Sequence, residues 1–297
     1  PGFWSVGRGG GGRPPLKTRA VPRGVQDRPC QRRRLDHGPG GRAGRFLGGR
    51  ERGRRGRSPG EVQKVVQKTV AGGDDDTIAG VENVIGSIGS DNLGGDANAN
   101  RLEGLAGADT FLASAGADVM LGGADVDTLD YSSFFSAGSI NVTLQGAAQT
   151  TVVVRGDVHD AIAGMENVTG TTGGDTIIGD AEDNILDGQA GNDILDGGLG
   201  TDSLSGGAGD DQITASLGAD STDGGAGVDT VDFSGLPGGQ SIDVTLDQTN
   251  VTTVVIAGGV DQTITAVENI IGTAENDRIA GDVAENDLQA LGGDDVL

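Results

Sequence analysis

Seven consecutive nonapeptides, residues 170–232, leave this chain little choice of fold. They read GTTGGDTII, GDAEDNILD, GQAGNDILD, GGLGTDSLS, GGAGDDQIT, ASLGADSTD and GGAGVDTVD, with no insertion or deletion. The sixth position is acidic or its amide throughout: Asp175, Asn184, Asp193, Asp202, Asp211, Asp220 and Asp229. The eighth is apolar with one exception: Ile177, Leu186, Leu195, Leu204, Ile213, Thr222 and Val231. A fixed short period with one apolar residue per unit cannot close a globular core alone, because each unit buries its side chain only against its neighbours in a stack.

Two further blocks keep the phase. Residues 86–130 give GSIGSDNLG, GDANANRLE, GLAGADTFL, ASAGADVML and GGADVDTLD, with Asp91, Asn100, Asp109, Asp118 and Asp127 at position six. Residues 272–297 give GTAENDRIA, GDVAENDLQ and a truncated ALGGDDVL, with Asp277, Asn286 and Asp295. The segments between the blocks repeat as well: residues 130–170 align without gaps on 232–272 at an offset of 102, whereas the preceding offset, from Gly86 to Gly170, is 84. The difference of 18 is two nonapeptides, as expected if two units make one coil. The alternating segments 140–144 and 242–246 read as half-buried strands, and the β-branched runs 151–154 and 253–256 as their partners. They fit either a small β extension beside the stack or wider rungs within it.

The units match GGxGxDxUx, with U a large apolar residue, and the chain resembles the RTX, or haemolysin-type calcium-binding, repeat of bacterial proteins exported by type I secretion. The resemblance implies an all-β fold of parallel β-roll blocks, right-handed solenoids joined by short β segments, following a disordered head. The expected domains are a basic head (1–60), the end of a linking segment (61–85), roll block one (86–130), a linker (131–169), roll block two (170–232), a linker (233–271) and a truncated block three (272–297). It implies Ca²⁺ held by Asp91, Asp109, Asp118, Asp127, Asp175, Asp193, Asp202, Asp211, Asp220, Asp229, Asp277 and Asp295. Turn carbonyls of Gly188, Gly191, Gly197, Gly200, Gly206, Gly209, Gly224 and Gly227 complete the implied set. The second unit of every block departs in one way, with Asn at position six and Asp96, Asp180 or Asp282 at position two. Those turns are expected to bind calcium weakly or not at all, and Ala215-Ser216-Leu217 in place of the leading glycines, with Thr222 at a core position, weakens the sixth unit of block two as well. The best matches are residues 197–202, 206–211 and 224–229, so the expected calcium positions in that block narrow to the units of Asp193, Asp202, Asp211 and Asp229. Glu82, Glu166 and Glu268, each in an ENV or ENI triplet, read either as further ligands or, in preference, as turn or strand-edge residues.

Physical chemistry supports a dication. Sixth-position carboxylates of like coils should stack about 4.8 Å apart, where two bare charges repel by about 1 kcal/mol in water and more near a protein surface. Calcium accepts six to eight oxygens in loose geometry, carbonyls included, and suits such a turn better than magnesium. The net charge of −23 also hides an asymmetry. Residues 1–60 carry sixteen basic against three acidic residues, and the rest carries five against 41. A surface this acidic needs cations and argues against a nucleic-acid partner for 61–297. The expectation is a chain held open by charge in the cytosol and folded by calcium outside the cell.

The head holds seven of the eight prolines and most of the arginine, so it reads as disordered or as a basic arm. It also reads as frameshifted translation: Gly-Ala-Gly-Asp-Asp codons shifted by two nucleotides give Arg-Gly-Arg-Arg, the sequence at 52–55. The one cysteine, Cys30, lies there. No apolar run approaches the ~20 residues of a membrane span. Pro1 and the mid-repeat stop at Leu297 read as cuts in a longer protein. Two histidines, His37 and His159, exclude HExxH, and the GxSxG match at 56–60 lacks a preceding strand, so no catalytic constellation is expected. The leading reading is a non-enzymatic, structural or adhesin-like segment of a larger secreted bacterial protein, with calcium, the type I export machinery and a cell surface or matrix as partners. The alternative is the carrier tail of a secreted protease, lipase or toxin.

Overall fold

The computed structural model describes residues 82–134, 138–155, 157–247 and 250–297, and the backbone of the strand Val65–Gln67. The basic head, Cys30, the GxSxG match and most of the expected 61–85 segment lie outside the described residues. All regular structure among the described residues is β, arranged as one 13-stranded and one 11-stranded sheet. Each nonapeptide supplies a turn and one strand, and successive strands fall in opposite sheets. Thr176–Ile178 therefore pairs in parallel with Ile194–Asp196, two units on, and not with Ile185–Asp187. The stack repeats every 18 residues, which makes two nonapeptides one coil.

The xUx strand explains the core. Its middle side chain points inward and its flanks point out, as in Ile194–Asp196, where Leu195 is buried and Ile194 is exposed. Parallel register stacks the eighth-position residues into two ladders. One runs Ile177, Leu195, Ile213, Val231 and Ile270. The other runs Phe111, Leu129, Val168, Leu186, Leu204 and Thr222. Apart from Thr222, both belong to one continuous cluster. Burial of each such side chain contributes about 1.5–3 kcal/mol. Thr222 is the weak rung, since Met120 fills the equivalent place in the preceding super-repeat.

The linkers are wider rungs of the solenoid. In the first, Ile140–Thr143, Thr150–Val154 and Asp157–Ala163 form an antiparallel meander. It is inserted in the 13-stranded sheet between Val119–Ala124 and Thr176–Ile178. The opposite sheet passes straight on, with Thr128–Asp130 pairing to Asn167–Thr169. The second linker does the same in the other sheet: Ile242–Thr245, Thr252–Ile256 and Gln262–Thr265 enter between Ser221–Ala226 and Arg278–Ala280. The change of side follows from counting. Each unit crosses to the other sheet, and seven units, an odd number, separate the linkers. Adding or removing whole coils of two units preserves that parity, so the 84- and 102-residue offsets are compatible with linkers on alternate faces.

Candidate metal centres at the turns

Burial is the first surprise of the turns. Asp109, Asp118, Asp127, Asp175, Asp193, Asp202, Asp211, Asp220, Asp229 and Asp277 are all buried, as are Asn100 and Asn184. The sequence placed these groups at turns, where a solvated carboxylate is the ordinary case. Stacking of the coils seals them instead, and each spends one oxygen on the neighbouring backbone. Asp193 Oδ1 accepts the N–H of Asp175 (2.7 Å), Asp211 that of Asp193 (2.8 Å) and Asp229 that of Asp211 (2.9 Å). On the other edge Asp202 Oδ1 accepts from Asn184 (2.8 Å) and Asp220 from Asp202 (3.0 Å). Two rows of carboxylates thus knit successive coils along opposite edges.

The second oxygen separates the turns into two kinds. In six of them, Asp109, Asp127, Asp193, Asp202, Asp211 and Asp229, Oδ2 is buried with no hydrogen-bond partner. In five others it is occupied from within the turn. Ser87, Thr171 and Thr273 donate their N–H to Oδ2 of Asp91, Asp175 and Asp277 at 2.6–2.7 Å. The hydroxyls of Ser114 and Ser216 donate to Asp118 (2.8 Å) and Asp220 (3.2 Å). The Asn turns are likewise closed: the N–H groups of Asp96, Asp180 and Asp282 reach Asn100, Asn184 and Asn286 at 2.8–2.9 Å. The half-exposed Asp295, in the last turn, accepts the N–H of Asp277.

A buried acceptor without a donor is costly, and these six oxygens carry charge. Each faces the bare Cα of the glycine that opens its own unit. A Cβ added to Gly188 would lie 2.2 Å from Asp193 Oδ2 and 2.7 Å from the Gly206 carbonyl oxygen. At Gly206 the same atom would lie 2.2 Å from Asp211 Oδ2 and 2.6 Å from the Gly224 carbonyl. Carboxylate and carbonyl oxygens therefore converge on one spot, kept open by the missing side chain. Among the described residues no three acidic, histidine or cysteine side chains cluster as a metal site, so backbone carbonyls must supply the remaining ligands. A hard cation with loose coordination, as calcium is, fits such a donor set. Of the implied glycine carbonyls, those of Gly188, Gly197, Gly206 and Gly224 stand beside the sixth-position side chains of the preceding coil. Those of Gly191, Gly200 and Gly209 press against position-four glycines of the following coil.

Charge repulsion and burial show in the acidities. Burial, opposed by the backbone N–H and reinforced by neighbouring carboxylates, pushes Asp193 and Asp202 up to about 7. Asp127 and Asp229 rise to about 6 from the same causes. Folded values above the unfolded ~3.9 mean that the folded, metal-free chain binds protons the unfolded chain does not. This contribution is fully present below about pH 4 and is lost as pH rises through 6 and 7. The metal-free protein is therefore expected to melt at a higher temperature at pH 5 than at pH 8, a comparison that thermal circular dichroism in chelator-treated buffer makes directly. A flat or inverted profile would contradict the burial of these groups.

Where coils meet linkers, other side chains take over the carboxylate's place. Glu166 Oε2 accepts the N–H of Asp127 and Glu268 that of Asp229, both at 2.8 Å. The Glu side chains thus stand in the sixth-position row. The Asn turns stack on these same Glu residues: Asn184 Nδ2 donates to the Glu166 carbonyl (2.8 Å) and Asn286 Nδ2 to that of Glu268 (2.9 Å). A carboxylate could not make that bond, which explains why the second unit of a block carries Asn. In the first linker Asp160 Oδ1 accepts the N–H of Asp118 (2.8 Å), while its Oδ2 accepts from the Tyr131 hydroxyl and lies 2.8 Å from His159 Nδ1. The second linker has Phe233 and Gln262 in place of Tyr131 and Asp160. Gln262 brings its own donor, to Asp220 Oδ2 (3.0 Å) and the Ser216 carbonyl (2.7 Å). Sequence reading missed this exchange of Tyr and Asp for Phe and Gln, although the 102-residue alignment displays it.

The RTX calcium-binding nonapeptide repeat family matches this chain in four copies, over residues 94–129, 169–204, 197–231 and 266–297. No curated protein matches. Among solved structures the chain is similar to the extracellular lipase LipA from Serratia marcescens, with 18% identity over 65% of this chain and a TM-score of 0.24. The match spans 38% of that lipase's length.

Proposed function

We propose that this chain, a member of the RTX calcium-binding nonapeptide-repeat family, is a calcium-dependent structural segment of a larger secreted protein. Its roll closes on cation binding outside the cell. The observation that carries this reading is the set of six buried, unpartnered carboxylate oxygens, each aimed at a glycine-floored pocket. Bound calcium would supply compensating positive charge there. The residues that would hold it are Asp109, Asp127, Asp193, Asp202, Asp211 and Asp229, with carbonyl oxygens of adjoining coils. Those of Gly206 and Gly224 serve Asp193 and Asp211, and Gly164 and Ala266 serve the block ends. The chain's own residues do the rest: Oδ1 fixes each carboxylate on the neighbouring coil, and the hydrophobic ladders set the spacing.

Folding that depends on calcium at extracellular levels is consistent with export by a type I system, where low cytosolic calcium leaves the acidic chain unfolded for passage. Exposed surfaces of the roll and its linkers then serve as a stalk or adhesin-like segment. Asp211→Ala is expected to raise the calcium midpoint of folding about tenfold, equivalent to ~1.4 kcal/mol. Asn184→Ala removes the acceptor of the Asp180 N–H and the donor to the Glu166 carbonyl but no cation ligand, so it should lower stability with little change in that midpoint. Calcium titrations followed by circular dichroism compare the two, and equal midpoint shifts would refute the assignment.

A further inference from the structure

The six open turns share a backbone feature that the closed ones lack. Their second-position residues, Leu105, Gly123, Gln189, Gly198, Gly207 and Gly225, all have positive φ, between 73° and 123°. In the eight closed turns that position is Ser, Thr or Asp, and none of those residues has positive φ. The difference turns the peptide between positions one and two around. In closed turns the position-two N–H or hydroxyl points inward to the position-six side chain, as at Thr171 and Asp180. In open turns it points away: Gln189 N–H reaches Asp187 Oδ1 and Gly198 N–H reaches Asp196 Oδ1, both at 3.0 Å.

Side-chain chemistry at position two holds the closed form. Asp96, Asp180 and Asp282 accept the N–H two residues on at 2.8–3.0 Å. The hydroxyls of Ser87, Thr171 and Thr273 do the same at 3.1–3.2 Å. These are the local turns that Asp, Ser and Thr form readily. Gly favours the left-handed alternative, while a β-branched residue disfavours it.

We propose that the residue at position two of each nonapeptide decides whether its turn takes a divalent cation. Gly, Gln or Leu there opens the carboxylate to the ion, and Ser, Thr or Asp closes the turn with a donor of the protein's own. In the first two blocks closed turns occupy the first, second and next-to-last places, and the last turns, Asp127 and Asp229, are cation turns that stack on linker residues Glu166 and Glu268. Cation turns fill the remaining places of those two blocks: Asp109 and Asp127 in the first, and Asp193, Asp202, Asp211 and Asp229 in the second. Occupancy is thereby written into one position and differs from the count of sixth-position Asp residues.

This inference rests on the calcium reading and is tested on the full chain by counting bound calcium at saturation, using equilibrium dialysis and elemental analysis. Gln189 already carries a side chain at positive φ, so replacing it avoids a steric clash. Gln189→Thr is expected to bind at least one calcium fewer than the parent, and Gln189→Gly the same number. Thr171→Gly, which removes a closing hydroxyl, is expected to bind one more. Circular dichroism checks that each variant is folded in calcium, and if Gln189→Thr is not, the Thr171→Gly count decides. A parent chain that binds no calcium would overturn the functional reading itself. A parent that binds calcium, with unchanged counts in both folded variants, would overturn only the role of position two.

Discussion

Gly206→Ala should cost about 3 kcal/mol and open the roll at its middle. The new Cβ would sit 2.2 Å from Asp211 Oδ2 and 2.6 Å from the Gly224 carbonyl oxygen, the two atoms that converge on the pocket. Neither can retreat, because Asp211 is held by the N–H of Asp193 and lies buried between coils. Gly206 itself does not lie in the left-handed region, so the effect is one of space and of lost cation access, not backbone strain. Overpacking of a well-packed site costs typically 1–3 kcal/mol, and loss of the ion adds to it. Because each coil touches only its neighbours, the damage should separate the stack into two weakly coupled halves. Urea unfolding in saturating calcium measures the cost. Gly235→Ala is the control, since nothing lies within 4 Å of a Cβ at that position. Equal midpoints for the two variants would contradict the close approach of coils at position one.

Much of this architecture was legible in the residues. The period of nine, the apolar eighth position and the 18-residue difference between offsets were enough for a two-sheet solenoid whose coil is two units. Whether the linkers lie beside the roll or within it was not legible, because alternation marks 140–144 as half-buried without naming its neighbour. The side change of the linkers follows from odd unit counts, but only once linkers are known to be rungs. At the turns, the pattern gave the carboxylates and singled out the units of Asp193, Asp202, Asp211 and Asp229 in block two, but not the cause of that sorting. Between Asp175 and Asp193, Thr171 against Gln189 decides through a backbone torsion that no composition rule expresses. Asn184 was recognisable as a departure, yet its purpose depends on the Glu166 carbonyl 18 residues earlier, which only stacking reveals. Glu166 itself was open to two readings, and its side chain replaces a sixth-position carboxylate at the end of a row.

Removing calcium should have the largest effect of all. Six carboxylates have a buried oxygen without a donor, and burying unpaired charge costs several kcal/mol per ion. Ligand binding to the folded state alone adds RT ln(1 + [L]/Kd) per site. For extracellular-type affinities of about 10⁻⁴–10⁻³ M, 10 mM calcium contributes roughly 1.4–2.7 kcal/mol at each site. Over six sites this reaches on the order of 8–16 kcal/mol, as large as the whole stability of an ordinary domain, ~5–15 kcal/mol. Metal-free chain at pH 8 should therefore lose the roll interiors, while closed turns and linkers retain local order. Far-UV circular dichroism of the full chain at pH 8, recorded in 10 mM calcium and again after chelation, tests this most directly. Chelation should bring a cooperative loss of most β signal that returns on adding calcium, whereas an unchanged spectrum and melting temperature would contradict calcium-dependent folding of the roll.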